Sequence, residues 1–222
     1  MTPPRSDTTK AKPKDAPNAD GQTPRSNKGA QTRARLLTAA KSVFEDTGFL
    51  DARISDIAEA AGLSHGSFYH YFDSKEQIFR EIAEAQEALL TAPTPRDDGD
   101  TELSDLQRIR RANHNYLERY REHAKIMAVV EEVSRYDEQV NQARQQRQKH
   151  FAERSEAALR RQQEEGKAAA DIDPEIAALA LGSMVARVAE LWLIEGWGDY
   201  DLDEISEQMT KLWANAIGLT DE

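Results

Sequence analysis

The sequence predicts an all-α protein, on three observations. Apolar residues recur at helical spacing from about Gln31 to Ile217, glycine and proline break that pattern at helix-length intervals, and no segment alternates apolar and polar residues as a strand would. A chain of 222 residues with 39% hydrophobic and 31% charged side chains can bury a sizeable core in one or two domains. It has no cysteine, so disulfides, thiolate chemistry and cysteine-held zinc are all excluded. No uninterrupted apolar run reaches the roughly 18 residues of a membrane span, and the first residues lack the apolar stretch of a secretory signal, so a cytoplasmic protein without a membrane partner is expected.

Taken in order, residues 1–27 are rich in Pro, Ser, Thr, Asn, Asp and Lys and read as a disordered basic tail. Leu36, Leu37, Ala40, Val43 and Phe44 form one helical stripe that Gly48 ends. Ile54, Ile57, Ala58 and Ala61 repeat it in a shorter second helix, closed by Gly62 where a positive φ carries no Cβ strain. Ser64 suits the N-cap of a third helix running to Phe72, and Asp73 or Ser74 that of a fourth running to about Leu90. Pro93, Pro95, Gly99 and three aspartates make 91–100 a loop near a domain boundary.

Beyond that loop, Leu103, Leu106, Ile109, Asn113, Tyr116, Leu117 and Tyr120 make one amphipathic stripe, and Ile126 to Tyr136 a second. Residues 140–165, dominated by Gln, Arg, Lys and Glu, read as a long exposed helix that adds little core before Gly166 stops it. Asp173 and Pro174 open a helix whose run from Ile176 to Ile194 is apolar on nearly all sides and must be buried on more than one face. A last helix, about 203–217, carries Ile205, Met209, Leu212, Trp213 and Ile217 on one stripe and ends at Gly218. The domain division expected is a tail (1–27), an N-terminal helical unit (28–75) and a larger helical unit (76–222).

The formal net charge of -11 argues, taken alone, against a polyanionic partner. By segment the picture divides: residues 1–80 hold 12 basic and 10 acidic side chains, residues 81–222 hold 17 and 30. The acid belongs to the second part, and the N-terminal end is the basic one.

The informative stretch is Ile54 to Phe72, I-S-D-I-A-E-A-A-G-L-S-H-G-S-F-Y-H-Y-F. Two short helices joined by a glycine turn, the second capped by serine, have the form of a helix-turn-helix whose second helix fits a major groove of about 12 Å width. Ile57, Ala58 and Leu63 can pack the pair, and Phe68 and Phe72 the inner face of the second helix. That leaves His65, Gly66, Ser67, Tyr69 and His70 outward, with hydroxyls suited to phosphate oxygens. On spacing alone the same residues also fit an αα-hairpin with an ordinary aromatic core.

Gly48 to Phe79, G-F-L-D-A-R-I-S-D-I-A-E-A-A-G-L-S-H-G-S-F-Y-H-Y-F-D-S-K-E-Q-I-F, together with the helix that starts near Thr32, resembles the DNA-binding domain of TetR-type transcriptional regulators. The resemblance covers about 50 residues. It implies an all-helical homodimer, with three N-terminal helices on an operator and a divergent C-terminal domain that dimerises and holds a small-molecule effector. It also implies base reading at His65 and Gly66 just after Ser64, with Ser67 at a usual threonine position. Contacts to the sugar-phosphate backbone or to bases are implied at Tyr69 and His70, and a phosphate contact at Lys75. The chain departs from the family at Ala52 and Arg53, where a hydroxyl cap is usual. Arg53 is then available to a phosphate, and Ser55 stands where a longer contacting residue is common.

Residues 100–222 show no further signature of that family, so expectations there rest on residue type. The Ile176–Ile194 helix and the Trp213 helix suit a dimeric four-helix bundle. Tyr116, Tyr120, Met127, Phe151, Met184 and Trp192 supply aromatic and adaptable surface for an effector pocket, with Asn113 and His114 as polar groups beside it. No cofactor and no metal are expected, since the five histidines lack carboxylate-supported i, i+4 pairing. There is no Gly-rich phosphate loop or G-x-S-x-G turn, so the chain is read as a repressor and not an enzyme. Two other readings stand beside this one: a helical protein-interaction module that ignores DNA, and an enzyme with an unrecognised site in 100–222.

Overall fold

The computed structural model describes residues 27–92 and 103–220, and every described regular element is an α-helix. The expected tail, up to residue 26, and most of the expected 91–100 loop lie outside the described residues.

The first helix, α1 (Asn27–Asp51), starts four residues before the stripe does, and Gly48 breaks it internally with φ 75° and ψ 174°. That break lets Phe49 turn back into the core, where its ring packs 5.8 Å from Phe44 and 4.9 Å from Phe79. Next come α2 (Ile54–Ala60), α3 (His65–Phe68) and α4 (Lys75–Thr91). The serine caps act as their sequence implies: Ser64 Oγ accepts from the Ser67 amide and Ser74 Oγ from the Gln77 amide. Gly62 takes φ 66° at the α2 stop.

The third helix is shorter than expected, ending at Phe68 instead of Phe72. Its C-terminal side tightens into a turn in which the Tyr71 and Phe72 amides both donate to the Phe68 carbonyl. The turn keeps Phe72 buried beside Phe68 while Tyr69 and His70 stay exposed.

The C-terminal unit comprises α5 (Asp105–Glu122), α6 (Ala124–Val133), α7 (Glu138–Glu164), α8 (Pro174–Leu193) and α9 (Leu202–Ala216). Ser104 and Gln107 form a full capping box on α5, and Asp137, Asp173 and Asp201 cap the last three helices. α1 packs on α2, α4 and α6; α4 continues into the second unit against α5 and α7; α5 lies against α8 and α9.

Three expectations are corrected here. α7 is not a peripheral helix: it packs between α4 and α8, burying Val140, Arg147, Leu159 and Gln162. Within the single chain α8 buries one face, Ala178, Leu181, Val185, Ala189 and Trp192, and leaves Ile176 and Leu179 exposed at 67% and 63%, so burial of its other face needs a second chain. Tyr136 and Leu212, placed on apolar stripes, are also exposed, because Tyr136 falls in the turn after α6 and Leu212 on the outer side of α9. By length and composition α8 could cross a membrane. Its Arg187 and Glu190 pair with each other, and its inner face packs on α5 and α7 as a bundle helix does.

Candidate functional site

The sequence places the five outward residues of the helix-turn-helix around one short helix over a dry aromatic floor. Phe68 and Phe72 are buried beneath it, with Ile57 and Ala58 of α2. His65, Gly66, Tyr69 and His70 are exposed and Ser67 half-buried. The Ser64 and Ser67 hydroxyls lie 2.7 Å apart, which orders the helix start, and the His65 and Tyr69 rings meet edge to face at 5.4 Å. No apolar contact holds Gly66: a Cβ there would meet nothing within 4 Å. The surface therefore offers hydroxyls, imidazoles and a close backbone approach, the chemistry that meets phosphates and base edges.

The flanking residues differ in availability. Arg53 is exposed at the N-cap of α2, where it makes no side-chain cap, as the missing hydroxyl implies. Ser55 is exposed and its hydroxyl donates to Asp56 at 2.9 Å. Lys75 does something the sequence did not suggest. Its ammonium donates to the carbonyls of Phe49 (2.7 Å), Leu50 (3.2 Å) and Ala52 (3.0 Å) and sits 4.6 Å from the centre of the Phe49 ring. All three of its N–H bonds are thus directed at the α1–α2 corner, so Lys75 clamps that corner to the start of α4.

Two further contacts fix the same unit. Arg33 pairs with Glu81 of α4 while lying 4.7 Å over the Phe72 ring, and Arg35 donates to the Ala61 carbonyl beside Gly62. Arg33 thereby ties α1 to α4 directly, and the helix-turn-helix is held by charged groups as well as by apolar packing.

In the second unit, a cavity of about 860 Å³ lies among the end of α4, α5, α7, α8 and α9, and a second of about 610 Å³ between α7 and α8. Asn113, Tyr116 and Phe151 line the larger one, and Tyr116 and Phe151 the smaller as well. His114, Tyr120, Met127, Met184 and Trp192 line neither. His114 instead lies 3.4 Å from Asp203, Met127 and Tyr120 are buried in the core, and Trp192 packs on Tyr200. The Asn113 amide donates to Thr210 at 3.3 Å, joining α5 to α9.

Behind Tyr116 is a buried polar seam of which the residue pattern carries no sign. Arg147 of α7, 5% exposed, donates to the Tyr116 hydroxyl at 2.5 Å and pairs with Glu87 of α4, 2% exposed. The pairing is ionic by distance but poorly aligned as a hydrogen bond, and Glu87 Oε1, Arg147 Nη2 and the Tyr120 hydroxyl have no hydrogen-bond partner among the described residues. Burial pushes the Glu87 carboxyl and the Tyr116 hydroxyl up. Burial opposes the charge of Arg147, but Tyr116 and Glu87 beside it hold the guanidinium above its ordinary range. Among the described residues no group of three or more potential metal ligands occurs.

Comparison with known proteins agrees with this arrangement. Residues 36–82 match the model of bacterial regulatory proteins of the tetR family, and residues 102–217 match that of the tetracyclin repressor-like C-terminal domain. The second match overturns the expectation that residues beyond 100 carry no family signature: the likeness there lies in a pattern too dispersed to read as a motif. The regulator YdgC of Bacillus subtilis is 50% identical over 56 residues, 25% of this chain and 29% of YdgC. That match spans less than a third of the relative's length. TtgR of Pseudomonas putida is 25% identical over 191 residues, covering 78% of this chain and 90% of TtgR. The structure of SmeT, repressor of a Stenotrophomonas maltophilia multidrug efflux pump, aligns with a TM-score of 0.64 at 23% identity over 85% of this chain and 91% of SmeT. With one family model on the helix-turn-helix and another on more than half of the chain, the protein belongs to the TetR family of bacterial transcriptional regulators.

Proposed function

We propose that the protein is a ligand-responsive repressor, acting in the cytoplasm, that binds a near-palindromic operator as a homodimer and releases it when a small, largely apolar effector fills the C-terminal cavity. The observation that carries this reading is α4. Its first residue clamps the α1–α2 corner, Ile78, Phe79 and Ile82 belong to the aromatic core under α3, and its last turn, Leu90 and Thr91, forms cavity wall. Seventeen residues at 1.5 Å each make a rod of about 25 Å joining the two sites. A molecule that binds better when α4 is displaced would move α3 with it, and two α3 helices must reach successive major grooves about 34 Å apart.

The dimer is supported by the apolar side chains that α8 and α9 leave outward, Ile176, Leu179 and Leu212. Base contacts are assigned to His65, Gly66 and Ser67, and backbone contacts to Arg53, Ser55, Ser64, Tyr69 and His70. Family membership favours this reading over an interaction module or an enzyme.

A gel shift on the DNA upstream of the chain's own gene tests it. Binding should fall steeply with salt, and Y69A/H70A should weaken it by about tenfold or more with only a small change in melting temperature. Salt-independent binding, or none at all, would sink the operator reading.

A further inference from the structure

The larger cavity runs against the charge of the unit that contains it. Residues 81–222 carry 17 basic and 30 acidic side chains, yet Arg108, Arg111, Arg119, Arg154 and Arg161 all line this one space, with Asp105 the sole acidic wall residue among the described residues. The arrangement follows from helical spacing. On α5 the arginines fall at i, i+3 and i+11, and on α7 at i and i+7, so each set occupies one face, turned to the cavity.

Their partners separate structural arginines from available ones. Arg119 is used internally, donating to the Ala92 and Leu89 carbonyls at the end of α4 at 2.5 and 3.4 Å. Arg108, Lys167 and Arg161 approach the Asp105 carboxylate at 3.4, 3.8 and 3.9 Å, so one buried carboxylate faces three cations. Glu165 adds a second carboxylate for Lys167 (2.6 Å) and Arg161 (3.9 Å). Arg154 is exposed and has no partner among the described residues. The same lining also holds apolar and aromatic side chains: Tyr116, Phe151, Leu159, Leu181 and Trp213. A space of about 860 Å³ is of ordinary size for a small organic ligand.

We infer that the effector is an amphipathic anion, its apolar body against Tyr116, Phe151, Leu159, Leu181 and Trp213 and its carboxylate or phosphate head at Arg108, Arg154 and Arg161. Guanidinium groups match both head groups bidentately, and a head beside these arginines would supply the negative charge that Asp105 and Glu165 provide only in part. The inference rests on the effector reading above and narrows it to a ligand class.

The test uses the full chain, since residues 93–102 lie outside the described residues and include Asp97, Asp98, Asp100 and Glu102. Decanoate, decyl phosphate, decanol and decyltrimethylammonium share one apolar body and differ in the head. Their binding is measured below micelle-forming concentration by calorimetry. The two anions should bind at least about tenfold tighter than the alcohol and the ammonium compound. Whichever anion binds more tightly distinguishes a free carboxylic acid from a phosphate-bearing molecule as the source.

R108Q/R154Q/R161Q should bring the anions down to the level of decanol while decanol binding persists, which reports an intact cavity. Should the triple variant fail to fold, R154Q alone, at an exposed residue without a partner, should shift the preference in the same direction by a smaller factor. Equal or tighter binding of decanol or decyltrimethylammonium, or an undiminished preference in the variants, overturns the anionic class and leaves the effector reading standing. Binding of none of the four overturns both.

Discussion

Five of the six phenylalanines lie between Phe44 and Phe79, all of them buried, whereas every buried polar or charged side chain identified among the described residues lies at or beyond Glu87. The two units are held by different means. In the N-terminal unit, aromatic rings interlock at 4.9 to 5.8 Å and leave the outward face of α3 free of packing duties. In the C-terminal unit, Glu87, Arg147, Tyr116, Asn113 and Thr210 form polar seams beside open cavities. A dry aromatic core has one good packing, while ion pairs next to empty space can exchange partners at modest cost. Under the proposed function, the difference puts rigidity at the face assigned to DNA and adjustability at the cavity assigned to the effector.

The sharpest way to break this contrast is at Arg147. R147M leaves Glu87 buried without its cation and should cost about 3–5 kcal/mol in urea unfolding, whereas E87L/R147M should recover most of that loss. A double variant as unstable as the single one would show that shape, not charge, holds the seam. In the N-terminal unit, K75M removes a charged donor from three carbonyls and should cost about 1.5–3 kcal/mol. The clamp also predicts that the salt dependence of operator binding stays as it is; a slope smaller by about one would make Lys75 a phosphate contact instead. Smaller again is S64A, which removes the α3 cap and should cost about 1 kcal/mol, read as a lower melting temperature.

The smallest effect is in acid. Burial alone would raise the Asp137 carboxyl, but its hydrogen bond from Arg80 and the Val140 amide hold it below the ordinary aspartate value. Its contribution is therefore complete at neutral pH and lost as pH falls from about 4 through the lower folded value. The stability gap between wild type and D137N should close over that interval in pH-dependent melts. Glu131, raised by burial, has the opposite sign: its contribution is complete below the ordinary glutamate range and lost as pH rises through the raised value.

What could be read from sequence was local and periodic. Ser64, Ser74 and Asp173 announce helix starts, Gly62 and Gly166 announce stops, and Phe68 and Phe72 share a helix face, so each leaves a mark within a few residues. Arg147 was invisible because a buried cation amid Gln and Arg looks like any solvated helix face; its partner Glu87 is 60 positions away. The clamp made by Lys75 is invisible for a related reason, since backbone carbonyls carry no letter in the sequence. The arginines of the cavity were periodic in plain view, at 108, 111 and 119 and at 154 and 161. Only the packing of α5 against its neighbours shows that both faces look into one space.

The separation of reading face from core has a consequence for how such a protein can diversify. Gly66 and His70 are exposed, and even Gly66 has room for a side chain, while the half-exposed Tyr69 touches the core only at the Phe68 ring. Sequence change at these positions is therefore nearly free of a folding penalty, and a duplicated copy could drift to a new operator before anything in its aromatic interior had to follow.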